Sequence, residues 1–299
     1  MSYRKEKNFA GELLPVADYV TIASEEALNN LFADILQKGV HGFCFSLYEE
    51  GQKPGDIVSE AQVRRRMEIL RPHTSWVRSF SCTDGNELIP KVAKEYGLKT
   101  LVGAWLGDDP KINRREVEGL LQLAGEGLVD IAAVGNEVMY RKDLTEEELL
   151  AFIREVKERI PEGIPVGYVD AYYEFTERPN ITAACDLVLC NCYPFWEGCP
   201  FEYSLAHMQQ MYRQAQEAAN GKPVMISETG WPSQGDNLKG AVPGWQQARD
   251  YFINTQLWSA SEQIPVFYFS SFDESWKTGP EGAVGAHWGI WDKQEQLKF

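Results

Sequence analysis

The chain has 299 residues, 44% of them hydrophobic, and 44 acidic against 29 basic side chains give a net charge of −15. That length suits one α/β barrel, and that apolar content excludes a disordered chain. A strongly acidic chain is a poor partner for nucleic acid or an anionic membrane, both of which need basic patches; a neutral sugar polymer is indifferent to the charge.

The first residues, Met1 to Lys7, are charged and have no apolar stretch behind them. They predict no secretory leader and no membrane span, hence a cytoplasmic protein as written, or a secreted or periplasmic one if a leader has been trimmed. Ser24–Lys38 predicts a helix ahead of the first strand. Short apolar runs then recur at His41–Tyr48, Trp76–Ser81, Thr100–Leu106, Ile131–Glu137, Pro165–Ala171, Leu187–Pro194, Val224–Glu228 and Pro265–Phe272. They are continuous rather than alternating, as strands buried on both faces require. Between them lie helical stretches, from Ser59 to Leu70, Asn86–Tyr96, Pro110–Ala124, Thr145 to Arg159, a poorly defined Tyr173–Thr182, Phe201–Asn220 and Pro243–Glu262. Eight strands alternating with helices predict an α/β fold, a single (β/α)8 TIM barrel over residues 41–299, with residues 1–40 as an N-terminal extension whose extra helix packs on it. A doubly wound sheet is the alternative on pattern alone.

The six cysteines follow no disulfide-scaffold spacing. Cys190, Cys192 and Cys199 have no histidine near them, so they do not read as a zinc site. No feature calls for a metal or an organic cofactor, and none indicates oligomerisation, so a monomer is expected.

In such a barrel the active site lies at the C-terminal ends of the strands. Those ends carry Arg78 on the second, Trp105 on the third, Asn136 and Glu137 on the fourth, and Asp170 and Tyr172 on the fifth. The sixth gives Asn191, Tyr193 and Phe195, the seventh Glu228 and Trp231, and the eighth Asp273, Glu274, Trp276 and Lys277. Glu137 and Glu228 end strands that face each other across the barrel mouth. A retaining glycosidase needs two carboxyl groups roughly 5–5.5 Å apart, one as acid/base and one as nucleophile. Either glutamate alone reads more simply as a helix cap or an ion-pair partner; the two together read as a catalytic pair.

Gly135-Asn136-Glu137 together with Glu228-Thr229-Gly230-Trp231-Pro232-Ser233 resembles glycoside hydrolase family 17, the β-1,3-glucanase family of the retaining (β/α)8 clan. Val77-Arg78-Ser79-Phe80 resembles that family's second strand, Asn191-Cys192-Tyr193-Pro194-Phe195 its sixth, Phe269 to Lys277 its eighth, and His287-Trp288-Gly289-Ile290 the segment after it. The resemblance covers roughly Gly42 to Trp291. It implies Glu137 as acid/base, Glu228 as nucleophile, and a substrate of β-1,3-glucan or its oligosaccharides. A β-1,3-glucanosyltransferase using the same site, or an inactive glycan-binding barrel, are the alternatives. Tyr193 is then a candidate donor to the nucleophile and Asn136 a candidate for the sugar 2-hydroxyl, while Glu274 and Lys277 match the family's extra charged pair. Trp105, Tyr172, Phe195, Trp196, Trp231, Trp276 and Trp288 are the candidates for stacking on sugar rings, with Trp231 and Trp276 foremost. The eighth strand departs from fungal and bacterial relatives in reading Phe-Ser-Ser-Phe, which removes a carboxylate from the groove.

Overall fold

In the computed structural model, residues 23–299 are described, with Phe9 and Val20 ahead of them. The expected extension therefore falls largely outside the described residues, apart from its helix. Eight parallel strands close into a barrel in sequence order, β1 to β8, with β8 pairing back onto β1. They are β1 (Val40–Cys44), β2 (Thr74–Ser79), β3 (Lys99–Ala104), β4 (Ile131–Asn136), β5 (Val166–Ala171), β6 (Leu187–Asn191), β7 (Val224–Thr229) and β8 (Val266–Tyr268).

Helix α1 (Glu25–Lys38) precedes the barrel. Ser24 caps it by accepting from the Ala27 N–H at 3.2 Å, Glu25 and Glu26 favour its positive end, and Gly39 ends it at a φ of 81°. Its buried face, Leu28, Phe32 and Leu36, turns inward. The outer ring continues with α2 (Glu60–Leu70), α3 (Leu88–Glu95), α4 (Pro110–Gly125), the short α5 (Val138–Arg141), α6 (Glu146–Arg159), α7 (Glu174–Glu177), α8 (Pro179–Ala184), α9 (Ser204–Ala219) and α10 (Trp245–Glu262). Among the described residues only the four-residue α11 (Thr278–Glu281) follows β8 as an α-helix. Helix α1 takes the vacant place in the ring. Phe32 packs against Phe252 of α10 at 5.1 Å, and the Leu36 carbonyl meets His73 Nδ1 just before β2 at 3.0 Å.

Three differences from the expected elements have local causes. The segment Tyr173–Thr182 splits into α7 and α8 because Pro179 forces Arg178 out of helical conformation, at φ −126° and ψ 71°. The first strand stops at Cys44, not Tyr48, because beyond Phe45, whose N–H still reaches the Arg78 carbonyl, N–H groups find side chains. Ser46 N–H donates to Ser271 Oγ at 2.9 Å and Tyr48 N–H to Glu274 Oε1 at 3.0 Å. The eighth stops at Tyr268, not Phe272, where Ser270 N–H turns to the Trp288 carbonyl and Ser271 N–H to that of Cys44.

Strand register slips at β4/β5 near Asn136, at β6/β7 near Asn191 and at β7/β8 near Thr229. All three irregularities sit at the C-terminal mouth. Such breaks re-aim side chains out of a ladder, and here they flank both candidate glutamates.

Candidate active site

Glu137 leaves β4 in the left-handed region, at φ 51°, two residues after Gly135 at φ 88°. A side chain on Gly135 would collide with Val138 at 2.9 Å and Tyr168 at 3.3 Å, so only glycine lets the chain turn there. Its N–H donates to the Val169 carbonyl at 2.8 Å, which fixes the turn while the side chain projects into the cleft. Asn191 Nδ2 donates to Glu137 Oε1 at 2.9 Å, and Asn191 is itself held by Ser227 Oγ at 2.8 Å. Burial, then the negative charge of Glu228, pushes the Glu137 carboxyl up to about 7; the Asn191 amide, Arg141 and Arg78 pull against that rise.

Glu228, on β7, three strands further round the barrel, lines the same cleft and is buried. Its two oxygens have separate donors: Arg78 Nη1 reaches Oε1 at 2.6 Å and Tyr193 Oη reaches Oε2 at 2.8 Å. Two groups of one type thus stand in unlike surroundings. One keeps a proton near neutrality beside a single amide; the other is held between a cation and a phenol.

Arg78 is the hub. Besides Glu228 it holds the Ser227 carbonyl at 3.2 Å and Asn136 Oδ1 at 2.5 Å, and its guanidinium lies 4.2 Å over Phe80. It is 1% exposed, so the structure places it beneath the floor and not against a sugar, as a charge that aligns two side chains. With Oδ1 occupied, the Asn136 Nδ2 amide is the end left to donate.

The aromatic candidates divide. Trp231, Phe195 and Trp288, expected as sugar platforms, are buried at 1%, 0% and 2% exposure. Trp231 donates Nε1–H to the Val242 carbonyl and packs on Phe195, Phe201 and Tyr251. Trp288 lies against Tyr193 and Phe269, supporting them from behind. These rings shape the floor and have no face for a ligand. Trp276 packs edge-on against Tyr48 at 5.9 Å. Glu274 and Lys277 close on each other at 2.8 Å, with Lys277 4.2 Å over the Phe269 ring. They act on the cleft through Phe269, which lines it. Trp105 is 37% exposed on the rim and stacks on Arg141 at 4.4 Å.

Tyr172 and Trp196 do line the cleft. Beside them stands Glu197, in the loop after β6. Tyr172 Oη donates to its Oε1 at 2.8 Å, and buried His207 meets its Oε2 at 2.8 Å. Glu281, on α11, also lines the cleft, and burial pushes its carboxyl up to about 7 against the pull of Lys277. Nothing in the local sequence separates these two glutamates from surface ones. The cysteines are all buried thiols among the described residues, with Cys190 and Cys192 sulfurs 3.8 Å apart on one face of β6.

The raised Glu137 makes a stability prediction. Its carboxyl ionises at about 7 in the fold against 4.5 when free, so the folded chain binds the extra proton in that interval. Stability contributed by the neutral group is therefore present below about pH 4.5 and is lost as pH rises to 7, at about 1.4 kcal/mol per pH unit, on the order of 3 kcal/mol at most. Glu137→Gln is expected to raise the melting temperature at pH 8 by roughly 2–6 °C and to leave it nearly unchanged at pH 4. Thermal unfolding at both values checks this; equal shifts at the two would refute the assignment of burial as the cause.

A family model described as the BtgE/BtgC glycoside hydrolase domain matches residues 42–289. The glucan 1,3-beta-glucosidase BGL2 of Candida albicans is 27% identical over 258 residues, which cover 78% of this chain and 83% of that protein. A glucan 1,3-beta-glucosidase of Arthroderma benhamiae is 28% identical over 265 residues, covering 82% and 85%. Among solved structures, the glycoside hydrolase family 17 beta-1,3-glucanosyltransferase from Rhizomucor miehei superposes with a TM-score of 0.78 at 28% identity, over 87% of this chain and 96% of that one. A closed parallel barrel, a carboxyl pair at its mouth and a family match spanning nearly all of that barrel agree, and the chain belongs to the BtgE/BtgC glycoside hydrolase domain family, within glycoside hydrolase family 17.

Proposed function

We propose that this enzyme cleaves β-1,3-linked glucan or gluco-oligosaccharides with retention at the anomeric carbon, using Glu228 as nucleophile and Glu137 as acid/base. The observation that carries the reading is the unequal environment of the two carboxyl groups: Arg78 and Tyr193 on Glu228, one amide and a rise to about 7 on Glu137. Two carboxyls in surroundings this unlike sort into acid and base roles. The β-1,3 linkage rests on the names of the relatives, which are glucan 1,3-beta-glucosidases.

In the first step Glu228 attacks the anomeric carbon while Glu137 gives its proton to the departing glycosidic oxygen. A glycosyl ester forms on Glu228 and the C–O bond to the leaving sugar breaks. Glu137, now ionised, takes a proton from water as that water attacks the ester and frees Glu228. The Asn136 amide, oriented by Arg78, faces the sugar 2-hydroxyl, a contact that tightens in the oxocarbenium-like transition state. The catalytic groups all come from one chain, so the reading needs no second copy.

A second reading, glucanosyl transfer, is favoured by the likeness to the Rhizomucor miehei protein, a beta-1,3-glucanosyltransferase. The two differ in what attacks the ester, water or a sugar hydroxyl. The test is incubation with laminari-oligosaccharides at low and high concentration, together with trapping by a 2-deoxy-2-fluoro glycoside. Shorter products alone, with the label on the peptide carrying Glu228, support hydrolysis. Products longer than the substrate at high concentration support transfer. Intact substrate with measurable binding would leave only a glycan-binding barrel.

A further inference from the structure

The loop that carries Glu137 is held from behind by a polar group that the reaction itself does not use. Asp170, at the mouth end of β5, is 0% exposed. Its Oδ2 accepts the N–H groups of Met139 at 3.2 Å and Tyr140 at 3.3 Å, the second and third residues after Glu137. Tyr168, two residues earlier on the same strand and 1% exposed, donates its hydroxyl to the same Oδ2, and the Met139 N–H also reaches Tyr168 Oη at 2.9 Å. The Ala171 N–H donates to Oδ1 at 2.7 Å. Asp170 thus gathers four donors, two of them the first free N–H groups of the turn that follows the glutamate.

That turn needs holding. Glu137 sits at φ 51°, a conformation that is unfavourable for non-glycine residues unless their surroundings fix it. The β4/β5 register also slips between Ala133 and Asn136, so the strand ladder does not define the path of the chain there. Helix α5 spans four residues, too short to hold the turn by its own hydrogen bonds. From the other side, Arg141 Nη1 donates to the Asn136 carbonyl and Nη2 to that of Leu106 at 3.0 Å, tying the start of the turn to the end of β3.

We propose that Asp170, with Tyr168, is a positioning residue for the acid/base: it clamps the Met139 and Tyr140 N–H groups and so keeps the Glu137 carboxyl aimed at the glycosidic oxygen. This rests on the reading of Glu137 as acid/base. Asp170 touches no sugar; it is not among the residues lining the cleft. Misplacing a catalytic group by about 1 Å lowers a rate by roughly 100-fold, and loss of the clamp is expected to act at that scale.

The leaving group provides the test. A natural glucan needs the acid to protonate its departing oxygen; a 2,4-dinitrophenyl glycoside does not. Asp170→Ala is expected to lower kcat/KM on laminari-oligosaccharides about 100-fold, through kcat and with KM within about threefold, yet to keep kcat/KM on the dinitrophenyl β-glucoside within about fivefold of the parent. Azide, which attacks the glycosyl ester without base help, is expected to restore turnover on the activated substrate. Tyr168→Phe, which keeps the ring packing and leaves Asp170 its backbone donors, is expected to show the same pattern at roughly tenfold, and it covers the case in which Asp170→Ala does not fold. Equal losses on both substrates, in whichever variant folds, would mean that the cluster only supports the fold, and would overturn the proposal. So would unchanged activity on the oligosaccharides. Glu137→Ala run in parallel separates the two claims. If it shows the leaving-group pattern and the clamp variants do not, the clamp fails alone; if Glu137→Ala itself lacks the pattern, the acid/base reading falls and the clamp falls with it.

Discussion

Glu228→Gln is expected to abolish glucan cleavage, lowering kcat by at least about 10⁴-fold, because Glu228 is the carboxylate held between a guanidinium and a phenol and a neutral amide does not form the glycosyl ester. Glu137→Gln is expected to fail differently. It keeps the nucleophile, so the first step on an activated aryl glycoside survives and a covalent intermediate accumulates, while cleavage of natural glucan falls by about 10²–10⁴-fold, the range for losing a general acid/base. The pH profile supplies a second discriminator. The parent's activity is expected to decline as pH rises through about 7, because the acid form of Glu137 is lost there. Rate assays on laminarin from pH 4 to 9, with burst kinetics on the aryl glycoside, check both statements. Near-normal laminarin turnover by either variant would remove that residue from its role.

The parts of this site that are legible in the sequence are those whose chemistry is local. Glycine ahead of Asn136-Glu137 announces a turn that only glycine permits, and the structure finds φ 88° with Val138 and Tyr168 pressed against the missing side chain. The barrel is legible for a similar reason, since strands buried on both faces write themselves as continuous apolar runs. Trp231 misleads because it follows Glu228 by only three positions, yet its ring is 1% exposed and packs on Phe195, Phe201 and Tyr251. Glu116 is invisible for the opposite reason. It sits on a helix otherwise rich in charge, yet it is 2% exposed and binds the Cys82 N–H at 2.8 Å and the Trp105 N–H at 3.1 Å, joining the loops after β2 and β3. Long-range polar partners of this kind leave no periodicity for a sequence reading to find.

Arg78 is the strongest example, because its partners lie 58 and 150 positions away along the chain. Arg78→Met keeps the length and apolar stem of the side chain and removes its charge and its fork. Two consequences are expected. Glu228 becomes a buried carboxylate with only Tyr193 as donor, and an uncompensated buried charge costs about 3–5 kcal/mol. Asn136 loses the guanidinium that orients it, and with it the aim of its amide at the sugar 2-hydroxyl. At pH 6, kcat/KM on laminari-oligosaccharides is expected to fall by at least about 10³-fold. Arg78→Lys separates charge from geometry. A lysine restores a cation beside Glu228 but offers a point charge in place of a fork, so it does not hold Asn136 and Glu228 together. The expected result is a melting temperature close to the parent's with a kcat still about 10–100-fold down, the loss that follows from a misaligned Asn136 and its contact to the 2-hydroxyl. If Arg78→Met keeps the parent's melting temperature and kcat/KM, the guanidinium is not what holds Asn136 and Glu228 in place, and Tyr193 with the surrounding backbone must suffice.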